Sequence, residues 1–481
     1  MLFHSRWAMF PPSGPTVTGF VASTLFRRIT PLRLLRAALS FLAFVLLTGH
    51  HARAGGPFQI SLGRSAVDLN GPWKFHIGDN PAWSDPKFED SSWETVDLTA
   101  PPGAHDDDVG LTGYVPGWSA KGHLGYSGYA WYRLRVAVTA PEHAELALTG
   151  PPAVDSAYQI FVNGKLMGSA GRFSGPVPTV FSIQPRLFAI GRWPGPTSES
   201  DDPDLLIAFR VWMGSWDLGE IAGGIHIAPV LGDTGSIQAR YQMQWLQTIR
   251  GYIVEVVEGL FFLLLAAMAW CLRSFDRSNR AYLWLCTALV LTALYRANQA
   301  IFFWGQFETV HGFELISIVL LLPLCLAAWT LAWRAWLRPG MEWMPTAAGG
   351  LLAFYILAEF LSRSWFYGVF PQWFNRGTHF AIASDRLLFL ALTVLITYRG
   401  IQQRRDTWFT ISALLLVSVG LFAQELSQLG IKGIWFPFGT GVSRTQFAYA
   451  VFDLVMFALL WNRFQHFAKR YRSPAHDATS A

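Results

Sequence analysis

The sequence predicts two architectures in one chain: an all-β sandwich, followed by an all-α bundle of seven transmembrane helices. Three observations predict this. Charged residues make up 14% of the 481 positions and hydrophobic ones 52%, whereas about a quarter of a soluble globule is charged. Between residues 55 and 250, short alternating runs broken by Gly and Pro carry the two-residue period of strands. From Tyr252 onward, long apolar segments recur between short basic ones, as in a multi-pass membrane protein.

The chain opens with a leader. Residues 1–54 hold six basic side chains and no acidic one. Arg27, Arg28, Arg33 and Arg36 precede an apolar run from Ala37 to Leu47, and Ala52-Arg53-Ala54 follows. A run of about 11 residues is short for a spanning helix and suits a signal peptide cleaved after Ala54. Everything beyond is then expected to be exported until the first spanning helix. Three cysteines, Cys271, Cys286 and Cys325, rule out a disulfide framework and a structural zinc site.

In the exported half, 55–248, Tyr132 to Val138 places an apolar residue at every second position, so one strand face is expected buried and the other wet. Tyr158, Ile160 and Val162 repeat the pattern, and Asn163-Gly164 follows. That pair predicts a two-residue hairpin, because both positions tolerate positive φ. Leu205, Ile207, Phe209 and Val211 line a third strand; Ile225 and Ile227 suggest a fourth. Strands this short and regular indicate a β-sandwich.

Four blocks in this half resemble the N-terminal domain of family 2 glycoside hydrolases. They are Asn70-Gly71-Pro72-Trp73-Lys74-Phe75, Phe88 to Val96, Gly128 to Arg133, and Asp155 to Lys165. The resemblance implies a galactose-binding-like jelly-roll, an accessory module in a family whose catalytic carboxylates sit on a separate barrel. This sequence has no room for such a barrel, so the resemblance implies binding without hydrolysis.

Sugar recognition needs flat apolar faces and a few polar groups. Tyr114, Trp118, His123 and Tyr126 offer these in one glycine-rich stretch; Trp212, Trp216 and Asp217 are expected in a second loop after the third strand. Trp73, Trp93 and Trp131 belong to the motif strands and read as core. Asp106-Asp107-Asp108 reads as a solvated acidic loop ahead of a calcium site. No metal or cofactor is expected.

Seven spans are expected over about 252–272, 281–303, 313–333, 345–361, 383–398, 407–425 and 445–461, most of them near the roughly 20 residues a span needs. One set of connections and the 462–481 tail carries twelve basic residues, among them Arg273, Arg277, Arg280, Arg334, Arg338, Arg399 and Arg463. The opposite set has four: Arg363, Arg376, Lys432 and Arg444. The positive-inside rule then places the C-terminus in the cytoplasm and the β-domain outside, in agreement with the leader.

Ionisable residues inside hydrocarbon are costly and point to function. Glu255, Glu258, Arg296, Asp385, Arg386 and Asp453 are expected to form a polar vestibule beneath the β-domain, with Asp453 paired to Arg296 or Arg386. Glu314, Glu359 and Glu425 fall in the same outer half. Pro323 suggests a kink in the third span. No lysine lies between Lys165 and Lys432, which excludes a retinal Schiff base on a spanning helix. No Walker A loop, kinase motif set or G-x-S-x-G elbow occurs, so no enzyme activity is expected.

Leader, sandwich and seven spans together resemble the bacterial seven-transmembrane receptors with diverse intracellular signalling modules. The resemblance implies a bacterial inner-membrane receptor whose outer domain binds a carbohydrate-like small molecule. Typical members continue into a kinase, cyclase or phosphatase. After Trp461 this sequence has 20 residues, so its output is expected through a separate cytoplasmic signalling protein. A scaffold or truncated receptor subunit is the alternative; transport is disfavoured because no inverted repeat is evident. The net charge of +5 comes from the leader and the cytoplasmic loops, while residues 55–250 have 13 basic and 20 acidic side chains. A nucleic-acid partner is therefore not expected, and neutral or cationic saccharides suit the exported face best.

Overall fold

The computed structural model describes residues 66–105, 111–138, 140, 144–192, 204–214, 220–338, 340–363, 366, 369–402, 408–431, 433–434 and 443–477. The leader, Asp106 to Asp108, Trp216 and Asp217 lie outside the described residues.

Among the described residues, twelve strands come first: β1 Ala66–Asp68, β2 Trp73–Ile77, β3 Glu94–Val96, β4 Gly128–Ala137, β5 Glu145–Thr149, β6 Val154–Asp155, β7 Ala157–Val162, β8 Lys165–Ala170, β9 Leu187–Arg192, β10 Asp204–Met213, β11 Gly224–Ile225 and β12 Val230–Asp233. They form a six-stranded sheet of order β3-β2-β4-β10-β7-β8, a four-stranded sheet of order β1-β12-β5-β9, and a β11-β6 pair. All pairings are antiparallel. The arrangement is sandwich-like. Trp73 and Phe75 of β2, Tyr132 of β4, Ile160 of β7 and Phe209 of β10 fill its core with Leu148 of β5 and Leu231 of β12. Alternation puts them on the inner face, and burying each large apolar side chain contributes about 1.5–3 kcal/mol.

The Asn163-Gly164 hairpin joins β7 to β8, with φ of 47° and 80° at the two positions. Glycine carries the second at no steric cost. The outer face of the six-stranded sheet departs from expectation. Arg133 was expected on the wet face of β4, yet it is 1% exposed. The segment from Trp83 to Trp93 folds over it: Arg133 Nε donates to Asp90 Oδ2 at 2.6 Å, and its Nη groups donate to the carbonyls of Trp83, Asp85 and Phe88. Every polar end of the guanidinium fork that faces this segment finds an acceptor, which offsets much of the cost of burying the charge. Trp131 and Trp93 pack beside it with Trp83 and Phe88.

Eight helices follow among the described residues: α1 Thr234–Phe275, α2 Arg280–Trp304, α3 Val310–Leu337, α4 Met344–Leu361, α5 Gln372–Gln402, α6 Trp408–Leu421, α7 Ala423–Gln428 and α8 Arg444–Asp477. Six of them are long and apolar enough to cross a membrane; α6, the sixth expected span, is shorter, and α7 continues it after a break at Phe422. α3 is π-helical over Glu314–Leu321, just ahead of Pro323. Proline cannot donate the next helical hydrogen bond, and the helix is rewound in the turns just ahead of it.

α1 runs across the expected boundary. Its 42 residues begin at the sandwich, with the Asp233 carboxylate accepting from Ser236 N at 2.9 Å, an N-cap at the end of β12. Ile237 is buried against Ala147 and Val230. The helix then runs without interruption into the apolar region, so the division expected at 248/249 falls inside it. Residues 238–250 are too polar to signal a span, and that is why the helix start was missed. At 1.5 Å per residue α1 is about 63 Å long.

Candidate functional site where sandwich and helices meet

The outer face of the six-stranded sheet carries three zones in register. Arg210 of β10 pairs across the sheet with Trp131 and Gln159. Its Nε and Nη2 donate to Asp79 at 2.7 and 2.5 Å, its Nη1 to Gln159 Oε1 at 2.8 Å, and its guanidinium stands 4.0 Å from the Tyr129 ring centroid, a cation–π contact. Partial burial raises the Asp79 carboxyl, but hydrogen bonds from Arg210 and Trp131 outweigh it and hold the group below its ordinary value. On one side lies the Trp83–Trp131 cluster.

On the other side lies the junction. Trp212, two residues beyond Arg210, was expected in a binding loop; it sits instead within β10, opposite Tyr129 and Ala157. Strand pairing carries β10 through Met213, a tertiary effect that the local sequence does not reveal. Trp212 packs with Ala157, Val180, Tyr129 and Phe173, and the helical half adds Val310 to this cluster. Three hydrogen bonds reinforce the contact. Val310 N donates to Val180 O at 3.0 Å, Ser182 Oγ to Phe302 O at 2.6 Å, and Gln184 Nε2 to Phe303 O at 3.3 Å. Below them Phe302 stacks on Phe313 at 4.2 Å and Phe303 on Tyr252 at 4.3 Å.

The stretch entering β4 meets residues 221–226, which lie beyond β10. The loop entering β4 at Gly128 and the loop leaving β10 after Met213 share one sheet end, since those residues are register partners. Val115 N donates to His226 O, Gly117 N to Ile221 O and Trp118 N to Gly223 O. Tyr114 stacks on His226 with centroids 4.6 Å apart, and His226 contacts Asp155 at 2.9 Å. Trp118 is buried against Phe75, so its ring serves the core. Tyr126 accepts from Gly78 N and donates to Tyr129 O; His123 contacts Glu94 at 2.9 Å. Tyr114, His123 and Tyr126 remain part-exposed.

About one helical turn beyond Tyr252, the buried ionisable residues of the helical half begin. Arg296 bridges Glu255 at 3.1 Å and Glu258 at 2.5 Å, and its guanidinium lies 5.1 Å from the Tyr449 ring centroid. Gln446, one turn before Tyr449, donates to Gly251 O at 3.2 Å. Arg386 is bidentate on Glu425 and also donates to Tyr355 at 3.1 Å. Neither arginine binds Asp453. Among the described residues, both Asp453 oxygens are buried without a hydrogen-bond partner, as are both of Asp385. The expected pairing is thus corrected: Arg296 pairs with Glu255 and Glu258 and Arg386 with Glu425, and Asp453 is left as a third carboxylate beside Glu258 and Arg296. A second network joins Arg363 to Glu359 at 2.6 Å and to Glu314 at 3.5 Å. Among the described residues no group of three His, Cys, Asp or Glu side chains could hold a metal.

Sequence reasoning missed Val310, Tyr449 and Gln446. Val310 gives no local signal, being one apolar residue at a helix start. Tyr449 and Gln446 lie at i and i−3 on one helix face with Asp453 a turn further on, a spacing that could have grouped them.

No protein-family model matches this sequence, and no curated protein does. Solved structures with partial similarity include a β-glucuronidase 2 from Bacteroides uniformis covalently bound to cyclophellitol-6-carboxylate aziridine, at 21% identity over 35% of this chain and 18% of that one, with TM-score 0.25. A glycosyl hydrolase family 2 member from Bacteroides cellulosilyticus DSM 14838 matches at 19% identity over 35% and 20%, TM-score 0.24. A β-glycosidase from Bacteroides vulgatus matches at 18% over 34% and 20%, TM-score 0.22. The chain spans no more than a fifth of the length of these enzymes, and a likeness of this extent carries nothing about activity.

Proposed function

We propose that this chain is a receptor of the bacterial inner membrane, with a jelly-roll domain outside, seven spanning helices and a cytoplasmic C-terminus. In this reading α6 and α7 together make the sixth span. The outer domain binds a neutral or cationic saccharide-like molecule at the Tyr114–Tyr126 end, and the helices pass its occupancy to a cytoplasmic signalling protein. No catalytic step is assigned to the chain. The orientation is supported by the basic residues gathered at the helix ends remote from the sandwich.

One observation carries the reading: Val310 of the helical half is seated in the Trp212 cluster of the sandwich. A ligand-binding domain that merely delivered substrate or served as a tether needs no such socket. Here the sheet end that bears the expected binding loops is also the end that grips α3. Ligand binding can shift the helices only if it favours one arrangement of this junction over another by a difference in affinity.

The test uses the full chain in lipid nanodiscs, with a panel of neutral and amino saccharides and a fluorophore on Cys271, the exposed cysteine of α1. A saccharide that raises the unfolding temperature and changes the fluorescence supports the receptor. In W212A the temperature shift should survive while the fluorescence change is lost. A panel without any stabilising saccharide would sink the assignment of ligand class, and a fluorescence response unchanged in W212A would sink the route.

A further inference from the structure

We propose that the end of the bundle remote from the sandwich carries a binding site for a phosphate group, occupied by the headgroup of an anionic phospholipid. An open pocket of about 290 Å³ lies there, lined by Asn279, Tyr282, Trp336, Leu337, Arg338 and Arg463. Its location follows from the chain path. α1 starts at the sandwich and ends at Phe275, α2 begins just beyond at Arg280, α3 starts at the Val310 junction and ends at Leu337, and α8 reaches Arg463 about 28 Å after its start near Gly251.

The chemistry of the lining is specific. Its floor is apolar and aromatic: Leu337 and Tyr282 are fully buried, and Tyr282 meets the Trp336 ring edge-on at 6.0 Å. Its rim is cationic. The Arg463 guanidinium stands 5.2 Å from the Trp336 ring, and the exposed Arg338 caps α3 in the left-handed conformation, φ 47°. Among the described residues no carboxylate forms an ion pair with either arginine. Asp276, whose charge reaches Tyr282 of the pocket, accepts from Ser278 at 2.7 Å. The α2 N-terminus opens on the same space through Asn279 and Ala281, adding the partial positive charge of a helix start. Two guanidinium groups that have no carboxylate partner among the described residues, Arg463 being held to Tyr282 by a hydrogen bond, suit a phosphate oxyanion over this aromatic floor, since arginine binds it through paired donors.

The position favours a lipid over a dissolved phosphate. Trp461 and Phe464 flank Arg463 on α8 and stack at 6.2 Å, and Phe464 meets Phe275 of α1 at 5.8 Å. All three are exposed, as aromatic side chains are at the boundary between hydrocarbon and headgroups. Basic pockets between helices at that depth are where acidic headgroups settle. The inference rests on the helices spanning a bilayer, and on nothing assumed about ligand or signalling.

The experiment uses the full chain in nanodiscs of phosphatidylcholine alone or of equal parts phosphatidylcholine and phosphatidylglycerol, with thermal unfolding and native mass spectrometry as readouts. Phosphatidylglycerol should raise the unfolding temperature and remain bound on desolvation. R338N, in which Asn readily keeps the left-handed conformation, and R463Q should each weaken retention about fivefold. R399Q, which removes a basic residue of the same end that does not line the pocket, should change nothing. Equal retention in the R338N/R463Q double variant and the native chain overturns the site. Stabilisation by inorganic phosphate in pure phosphatidylcholine, abolished in the double variant, keeps the phosphate site and overturns the lipid as its source. A chain that fails to insert into either nanodisc would count against the spanning reading itself, a failure distinguishable from loss of lipid binding.

Discussion

The backbone N–H of Val310 donates to the carbonyl of Val180 across 3.0 Å. Val310 is the first residue of α3, after an N-cap at Thr309, so this N–H has no partner in its own helix and the sandwich supplies one. Proline is well tolerated at this helix position, and Thr309 is already extended, at φ −78° and ψ 162°, as a residue before proline prefers. V310P should therefore leave α3 intact, remove the one hydrogen bond and cost about 1 kcal/mol. Thermal unfolding measures the loss, and helix content by circular dichroism should stay constant. A fall in helix content would show that the junction holds α3 folded.

Arg296 holds Glu255 and Glu258 together in the interior of the bundle. R296Q leaves both carboxylates buried without their cation, and breaking a buried ion pair from one side costs about 3–5 kcal/mol. The triple variant E255Q/E258Q/R296Q should recover most of that loss. Unfolding midpoints in one detergent decide it; equal losses in both variants would mean that packing, and not charge, dominates the site.

Asp453 predicts the opposite sign. Its oxygens have no hydrogen-bond partner among the described residues, while Glu258 lies within electrostatic reach. Asp453→Asn removes a repulsion and breaks no bond, so the unfolding temperature should hold or rise. A drop comparable to that of R296Q would show that Asp453 does support Arg296.

How far the sequence could be read depended on the range of the determining contacts. The Asn163-Gly164 turn was legible because both residues must adopt positive φ whatever surrounds them. The apolar segments of the helical half were legible because each carries its own length and composition. Arg133 was misread as wet because its cover, Trp83 to Trp93, comes from forty to fifty residues away. Trp212 was misread as a loop residue because only pairing with Tyr129 and Ala157 keeps β10 extended that far. The Asp453 pairing failed for a similar reason. Position along α8 could be counted from the sequence, but the meeting of Arg296 with Glu255 and Glu258 depends on how α1 and α2 pack.

The covered arginine of the sandwich should behave as a structural keystone. R133M keeps most of the side-chain length, yet strands Asp90 and the carbonyls of Trp83, Asp85 and Phe88. A cost of about 3–5 kcal/mol is expected, with D90N in the same chain relieving part of it. Thermal unfolding of the full chain and resistance of the Trp83–Trp93 segment to proteolysis give two readouts. A change below about 1 kcal/mol would mean that water takes over the guanidinium's role.

Asp79 supplies a pH dependence with a definite sign. Its carboxyl is held below the ordinary value of 3.8 in the folded chain, where hydrogen bonds from Arg210 and Trp131 outweigh partial burial. The unfolded chain binds a proton at that carboxyl first as pH falls. The Arg210–Asp79 contribution is therefore fully present at pH values above the unfolded-state value and is lost as pH drops through the lower folded-state value. D79N, which lacks the charge, should be less stable than the native chain near neutral pH. The gap should close in the acid range below 3.8. Unfolding midpoints of both chains, followed from neutral pH downward, test this. A gap that stays constant into acid would assign the effect of D79N to lost hydrogen-bond geometry in place of charge.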